Sequence, residues 1–319
     1  MTLKVVASRG DDDLARVFVA ELADGARIEL VEAVQPPVPR ADKWVLIVST
    51  LRGCPVGCGF CDAGGGYHGK LSAAEITDQV DWLVQRRYGD AAARVGPVPV
   101  RRIKVQFARM GEPALNDAVL DAIEQLDERG HLGAWMPSIS TVAPAGRERF
   151  FERLRAIKEI RFGDGRMQMQ FSLHTTDEAQ RRALVPIRSW SFAQMAAWGD
   201  RFFAPGDRRI TLNFAAAQHL PLEPTRLLDH FDPARYLVKL TPINPTHAAR
   251  DAGLTSRIDP SDPARCEAVA EDFRRAGYVT LVSIGELREN DIGSNCGMAV
   301  ADLQAGALEP IGAPARPAA

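Results

Sequence analysis

Three cysteines, Cys54, Cys58 and Cys61, fall in the spacing C-x3-C-x2-C, interleaved with Gly53, Gly57 and Gly59. Thiolates this close together suit soft metals. A structural zinc site wants four ligands, commonly as two separated pairs. No second pair exists here, because Cys266 and Cys296 stand singly and far along the chain. Thiolates also hold iron–sulfur clusters, four of them for a complete [4Fe–4S] cube. Three would leave one iron open, and an open iron can bind a substrate. The glycines let the backbone wrap closely round a cluster and turn N–H groups toward its sulfides. The bland alternatives are zinc and three buried cysteines packed as small apolar residues.

The elements that must position this loop are readable on both sides of it. A strand-like run at 44–49 (WVLIVS) ends just before Cys54, and a Gly-rich turn, Gly64 to Gly66, follows Cys61. Ser72 and Glu75 form a capping box that opens a helix, and Ile76, Val80, Leu83 and Val84 mark its buried face. Strand-like runs at 101–107, 137–142, 167–173, 209–214, 235–240 and 278–284 then alternate with helical patterns at 116–128, 147–158, 192–203 and 262–276. Such alternation with apolar strands predicts an α/β fold, a parallel sheet covered by its helices. Upstream, 15–22 and 27–34 read as strands joined at Asp24-Gly25, a strong hairpin signal. The expected organisation is an N-terminal β-hairpin extension over 1–40, a main domain over 41–300, and a disordered Ala/Pro/Gly-rich tail over 301–319.

Composition sets outer bounds. A 319-residue chain that is 46% hydrophobic and 25% charged is an ordinary globular protein. No apolar run is long enough to cross a bilayer, and the start, MTLKVVASRGDDD, turns acidic too soon for a signal peptide. A cytoplasmic location follows as the expectation, where thiols stay reduced and clustered cysteines read as metal ligands. The formal net charge of −2 argues against broad attraction to RNA. Two local basic runs, Arg101-Arg102 with Lys104 and Arg208-Arg209, most simply read as solvated faces.

C-x3-C-x2-C after a strand resembles the signature of the radical S-adenosylmethionine (SAM) superfamily. The words around it narrow the likeness: VSTLRGCPVGCGFC, LSAAEITDQV, MGEPALN (110–116), STV (140–142), SLHTT (172–176), LVPI (184–187), PINP (242–245) and NCG (295–297), in that order. Together they are similar to the RlmN/Cfr family of radical SAM RNA methyltransferases over residues 15 to 300. The resemblance implies a partial (β/α)6 TIM-like barrel, a [4Fe–4S] cluster on Cys54, Cys58 and Cys61, and SAM as cofactor. It also implies a reductase such as flavodoxin or ferredoxin as electron donor, and no membrane.

In parallel α/β barrels chemistry gathers at the C-terminal ends of the strands, and the motifs fall there. The resemblance gives Gly111 and Glu112 a place at the SAM amino group, Ser140, Ser172 and His174 places along SAM, and Asn244 a place at its nucleoside. Each has a plainer reading, as a turn or as polar strand ends facing water. Cys266 shares a helix face with Val269, Ala270 and Phe273 and reads as core. Cys296 lies in the polar loop NDIGSNCG, which is similar to the family segment whose cysteine receives a methyl group from one SAM. In that family a second SAM yields a radical that takes hydrogen from the S-methyl group, and the resulting methylene radical adds to an sp² carbon.

The chain also departs from the family. The second, resolving cysteine of the family would stand seven residues before Cys54, where this chain has Ile47, and no other cysteine precedes Cys54. A family carboxylate in the N-terminal hairpin is matched by Glu29 through its spacing from Asp24-Gly25, and by Glu32 through its neighbours, VEAV; the sequence does not separate them. The family's N-terminal RNA-binding domain has no counterpart before the hairpin. The expectation is therefore one-carbon transfer through Cys296, with Glu32 or Glu29 assisting, to an sp² carbon of a small-molecule substrate. RNA methylation, radical chemistry that leaves Cys296 idle, and a non-catalytic Fe–S or zinc protein remain the alternatives.

Overall fold

The computed structural model describes residues 2–63, 65–94, 96–259, 261–284, 292 and 297–311. Three antiparallel strands come first: β1 (Leu3–Gly10), β2 (Ala15–Leu22) and β3 (Arg27–Ala33). The predicted hairpin is β2 and β3. The added strand, β1, is mostly half-buried and lacks the clean alternation that would betray it. β3 then pairs antiparallel with β4 (Trp44–Val48), so the N-terminal strands continue the main sheet.

From β4 onward the sheet is parallel, through β7 (Ile103–Phe107), β8 (Trp135–Thr141), β9 (Gln168–Ser172), β10 (Ile210–Ala215), β11 (Tyr236–Thr241) and β12 (Val279–Val282). This is the expected order of a partial TIM-like barrel, with ten strands in one sheet. A separate two-stranded sheet, β5 (Leu51–Cys54) with β6 (Gly65–Lys70), forms the cysteine loop. The sequence reading placed a turn at Gly64 to Gly66. The structure corrects this, since β6 begins at Gly65 and Gly64 lies outside the described residues.

α1 (Ala73–Arg94) opens on the Ser72/Glu75 capping box, with Ser72 N–H to Glu75 Oε2 at 2.8 Å and Glu75 N–H to Ser72 Oγ at 3.2 Å. α2 (Ala118–Arg129), α3 (Glu148–Arg161), α4 (Glu178–Leu184), α5 (Phe192–Phe202), α6 (Pro224–Leu228), α7 (His247–Asp251) and α8 (Pro263–Arg275) follow. Five of these helices, α1, α2, α3, α5 and α8, sit where the periodicity placed them, while the short α4, α6 and α7 were not predicted. One large core fills the space between sheet and helices, from Trp44 and Ile103 to Trp198 and Phe273, and includes Cys266, as expected. A second core gathers round the cysteine loop, with Cys54, Met110, Val142, Val185 and Ile243. The inner face of the parallel strands is polar instead: Gln106 stands beside Ser138 and Ser172 beside Asn213.

The expected disordered tail is ordered in its first part. A last helix, Met298–Gln304, buries Leu303 and packs on β2 and β3. Asp302 pairs with Arg9 at 2.8 Å and with His247 Nε2 at 2.9 Å, and Ile311 N–H bonds Val6 O at 2.7 Å. Residues 312–319 lie outside the described residues.

Close helix–sheet packing gives one test. Gly199 on α5 faces β10 and β11, and a Cβ there would strike the Tyr236 hydroxyl and lie 2.9 Å from Ile210 Cδ1. That hydroxyl donates to Ala196 O at 3.2 Å. Gly199→Ala should therefore lower stability by about 1–3 kcal/mol through overpacking, read from urea unfolding. An unchanged midpoint would show that α5 is free to move off the sheet.

Candidate active site

The exit of β4 is fixed before the cysteines begin. Ser49 Oγ donates to Glu29 O and accepts from Met110 N–H. Asn116 Nδ2 donates to Thr50 O at 2.8 Å and Leu71 O at 2.7 Å, tying both ends of the loop together. Arg52 joins the hairpin tip to α1, through Asp24 at 2.9 Å and Glu75 at 2.5 Å. Within the β5–β6 hairpin, Cys54 is buried opposite Gly65, while Cys58 and Cys61 are half-buried. Gly59 N–H bonds Leu184 O at 3.1 Å, which seats the loop on the end of α4.

The donor set suits an iron–sulfur cube. Burial, the neighbouring Cys54 and the Glu112 charge push the Cys58 thiol up to about 12. Its thiolate is thus costly without a cation beside it, and metal ligation is what deprotonates such a thiol. Among the described residues no three His, Cys, Asp or Glu side chains converge as a single ion requires. A cube takes each cysteine at a separate iron, so its thiolates need not meet at one ion.

Around the loop stand the strand ends. Gly111 follows β7 with φ of 103°, and a Cβ there would come within 2.6 Å of Leu51, so this turn needs glycine. Glu112 is buried; its carboxylate accepts from Thr141 Oγ1, from Val142 N–H at 2.8 Å and from Ala114 N–H at 3.0 Å. It thereby ties the end of β7 to the end of β8. Burial outweighs those bonds and raises its carboxyl to about 6. Ser140 and Ser172 are half-buried at the ends of β8 and β9, whereas Asn244 is exposed after β11.

His174 is buried just beyond β9 with φ of 68°. Its N–H bonds Asn213 O at 3.2 Å, and its Nδ1 accepts from Ala215 N–H at 3.1 Å. That bond assigns the ring proton to Nε2. Burial, and secondarily the Arg181 charge, lower the imidazole to about 3. The ring meets Phe60, one residue before Cys61, edge-on at 4.7 Å.

Arg181 was missed by sequence reasoning. It is buried on α4 and donates to Val142 O at 2.8 Å, Ser172 O at 3.1 Å and Ser189 Oγ at 2.7 Å. Its charge acts on Cys58, Glu112 and His174 alike. The one signal in the sequence is its place three residues before LVPI, which singles out nothing.

The two candidate carboxylates separate cleanly. Glu32 faces α1, bonded to Trp44 Nε1 at 3.2 Å, to Arg87 at 2.8 Å and to Arg86. Glu29 faces the cysteine loop, paired with buried Arg109 at 2.5 Å. It also accepts from Gly297 N–H at 3.2 Å and Val300 N–H at 2.7 Å. Cys296 itself lies outside the described residues. Its neighbour Gly297 has φ of 79°, and a Cβ there would run into the backbone of Asp62 and Ala63, directly after Cys61. A cleft of about 390 Å³ opens at this junction, lined by Arg27, Arg52, Asp62, His68, Met110 and Gly297.

No family model matches the chain. A probable dual-specificity RNA methyltransferase RlmN 1 of Opitutus terrae is 32% identical over 291 residues, covering 88% of this chain and 74% of that protein. A probable dual-specificity RNA methyltransferase RlmN of Chloroflexus aurantiacus is 34% identical, covering 74% of this chain and 62% of that protein. In fold, a radical SAM methyltransferase from Sphaerobacter thermophilus superposes with a TM-score of 0.71 at 23% identity, over 93% of this chain and 81% of that one.

Two predictions follow from the buried charges. His174 is held neutral, so its contribution to stability is present above its unfolded value of 6.5 and is lost as pH falls toward about 3. Unfolding the metal-free protein in that window should take up one proton here, a slope of about 1.4 kcal/mol per pH unit. His174→Asn should flatten urea-derived stability over about pH 4 to 5.5 by that amount, and an unaltered slope would refute it. Arg181→Met removes a buried positive charge near a thiolate-ligated site. In reconstituted protein it should lower the cluster's reduction potential by on the order of tens of millivolts, by EPR-monitored titration, with Arg181→Lys recovering part. Equal potentials in all three proteins would contradict this.

Proposed function

The chain belongs to the RlmN family of radical SAM methyltransferases, and on that premise we propose that it moves a one-carbon unit through Cys296 to an sp² carbon of a small molecule. The family's cofactors are a [4Fe–4S] cluster and SAM. When bound, they supply a carbon radical strong enough to take hydrogen from an S-methyl group. This chain's own residues do the rest. Cys54, Cys58 and Cys61 hold the cluster. Gly111 lets the chain turn tightly beside SAM, with Glu112 fixing that turn, and Ser140, Ser172 and Asn244 offer hydroxyl and amide groups along the ligand. His174 supports Phe60 and the β9 exit, without titrating near neutrality.

The observation that carries this reading is the seat of Gly297. Glu29 and the Asp62–Ala63 backbone grip the residue after Cys296 against the residues after Cys61. A methyl-carrying sulfur needs to stand within reach of the cluster, and the residue next to Cys296 in the chain is held against the cysteine loop. Glu29 is the assisting carboxylate on this reading, as a positioning residue, because Glu32 is committed to Arg86 and Arg87.

Ile47 argues for the substrate class. It lies in the second core, next to Val31 on β3 and Gln106 on β7, where the family's resolving cysteine would stand. Release of the adduct then requires an external thiol or a different radical ending. RNA is the second reading, supported by the relatives, whose names say RNA methyltransferase. Among the described residues no helix is long and apolar enough to cross a membrane. A cytoplasmic flavodoxin or ferredoxin would serve as donor.

Mass analysis of anaerobically purified protein tests the proposal. A peptide containing Cys296 should be heavier by one methylene, and Cys296→Ala should abolish both that gain and product formation while the protein still forms 5′-deoxyadenosine. Turnover undiminished in Cys296→Ala would remove Cys296 from the reaction. Methylated adenine in RNA incubated with the enzyme would establish the RNA reading instead.

A further inference from the structure

At the end of the barrel opposite the cysteines, basic side chains precede one parallel strand after another: Lys43 before β4, Arg102 before β7, Arg166 before β9 and Arg208 before β10. A cleft of about 370 Å³ opens there, and Arg102, Arg166 and Arg208 line it with Trp135, Phe162 and Asp164. The walls are built rather than loose. Arg208 Nε donates to Gly165 O at 2.8 Å, Arg166 lies over the Phe162 ring at 6.0 Å, and Trp135 meets Phe162 edge-on at 5.2 Å.

Two facts about this cleft point to a ligand. Among the described residues, none of the three guanidiniums has a carboxylate partner. The cleft's Asp127 is taken by Arg161 at 3.2 Å and its Arg101 by Asp42 at 3.1 Å, which leaves Asp164 as the facing negative charge. Secondly, Trp135 is buried, yet its indole N–H has no acceptor among the described residues. Buried donors are seldom left unpaired. Behind the cleft, burial and the charges of Lys239, Lys43 and Arg208 depress Lys104 to about 7.

We propose that this mouth is a binding site for the phosphate or diphosphate group of a small molecule, held by Arg102, Arg166 and Arg208 beside the Trp135 and Phe162 rings. Guanidinium forks match phosphate oxygens in pairs. The cleft is concave and floored by aromatic rings, within the size range of small-ligand sites, whereas a nucleic-acid backbone is tracked by extended basic strips. The five residues of β7 place the cleft about 17 Å from the strand ends where SAM belongs. The anion bound here is therefore not the group that reacts. It reports on, or anchors, a molecule outside the radical chemistry.

Calorimetric titration of the reconstituted full chain with inorganic pyrophosphate, inorganic phosphate and a short RNA oligonucleotide tests this. Pyrophosphate should bind at one site per chain. Arg102→Gln and Arg208→Gln should each weaken it about tenfold, with melting temperature and 5′-deoxyadenosine formation unchanged. Trp135→Phe should weaken it by a smaller factor. Absence of pyrophosphate binding at millimolar concentration, or binding indifferent to both arginine variants, would overturn the proposal. So would an oligonucleotide that alone responds to those variants, which would make this an RNA-binding face.

Discussion

The buried carboxylate of Glu29 is the point on which the chemistry end of this molecule turns. Its backbone carbonyl holds Ser49 at the exit of β4, and its side chain meets Arg109 at the exit of β7. The same carboxylate takes the N–H groups of Gly297 and Val300. An N-terminal strand, two barrel strands and the last helix are thus joined through one residue. A carboxylate with no exposed surface survives because two backbone N–H groups bond it and a buried guanidinium balances its charge. Breaking such a pair is far more costly than never having had it, so the interaction enforces one arrangement of the mouth over others.

This explains why the sequence could offer Glu29 and Glu32 but not choose. The two are three residues apart on one strand, and so point to opposite faces. One face looks to the barrel mouth, with Val31 and Ile47; the other looks to α1, with Leu30. Strand pattern told that 27–34 was a strand, and nothing in it told which neighbour each face would meet. The same limit hid Arg181, whose role depends on carbonyls from β8 and β9 meeting over α4. By contrast, the cysteine spacing, the Ser72/Glu75 cap and the strand–helix alternation are local signals, and these were legible. The end of the last helix was misread because the Ala-, Pro- and Gly-rich run that follows it resembles a linker; what orders the helix is tertiary, through Glu29, Arg9 and His247.

The barrel has two unlike ends, and whole-chain charge conceals this. A net charge of −2 averages over a cysteine end built from hydroxyls, amides and satisfied carboxylates, and a far end where cations precede successive strands. Potentials act locally, within about a Debye length. A molecule entering at the cysteine end meets Arg27 and Arg52 already engaged with Glu21, Asp24 and Glu75. Free guanidinium charge lies elsewhere. Among the described residues, the cleft beside the cysteines therefore presents guanidiniums already engaged by carboxylates.

Ile47 sharpens the same point from chemistry. Its side chain packs in the second core beside Val31, so the position looks toward the mouth from an apolar wall. A thiol there could attack an adduct on a neighbouring sulfur; a branched hydrocarbon can only exclude water and restrict access. Restricting access lengthens the life of a carbon radical formed nearby, because fewer hydrogen-atom donors and reductants reach it. On the proposed reading, the substitution removes one way of ending the reaction and leaves an external thiol or a different radical ending. On that reading the half-buried Ile47 side chain, backed by the fully buried Val31, limits which of these can reach an adduct.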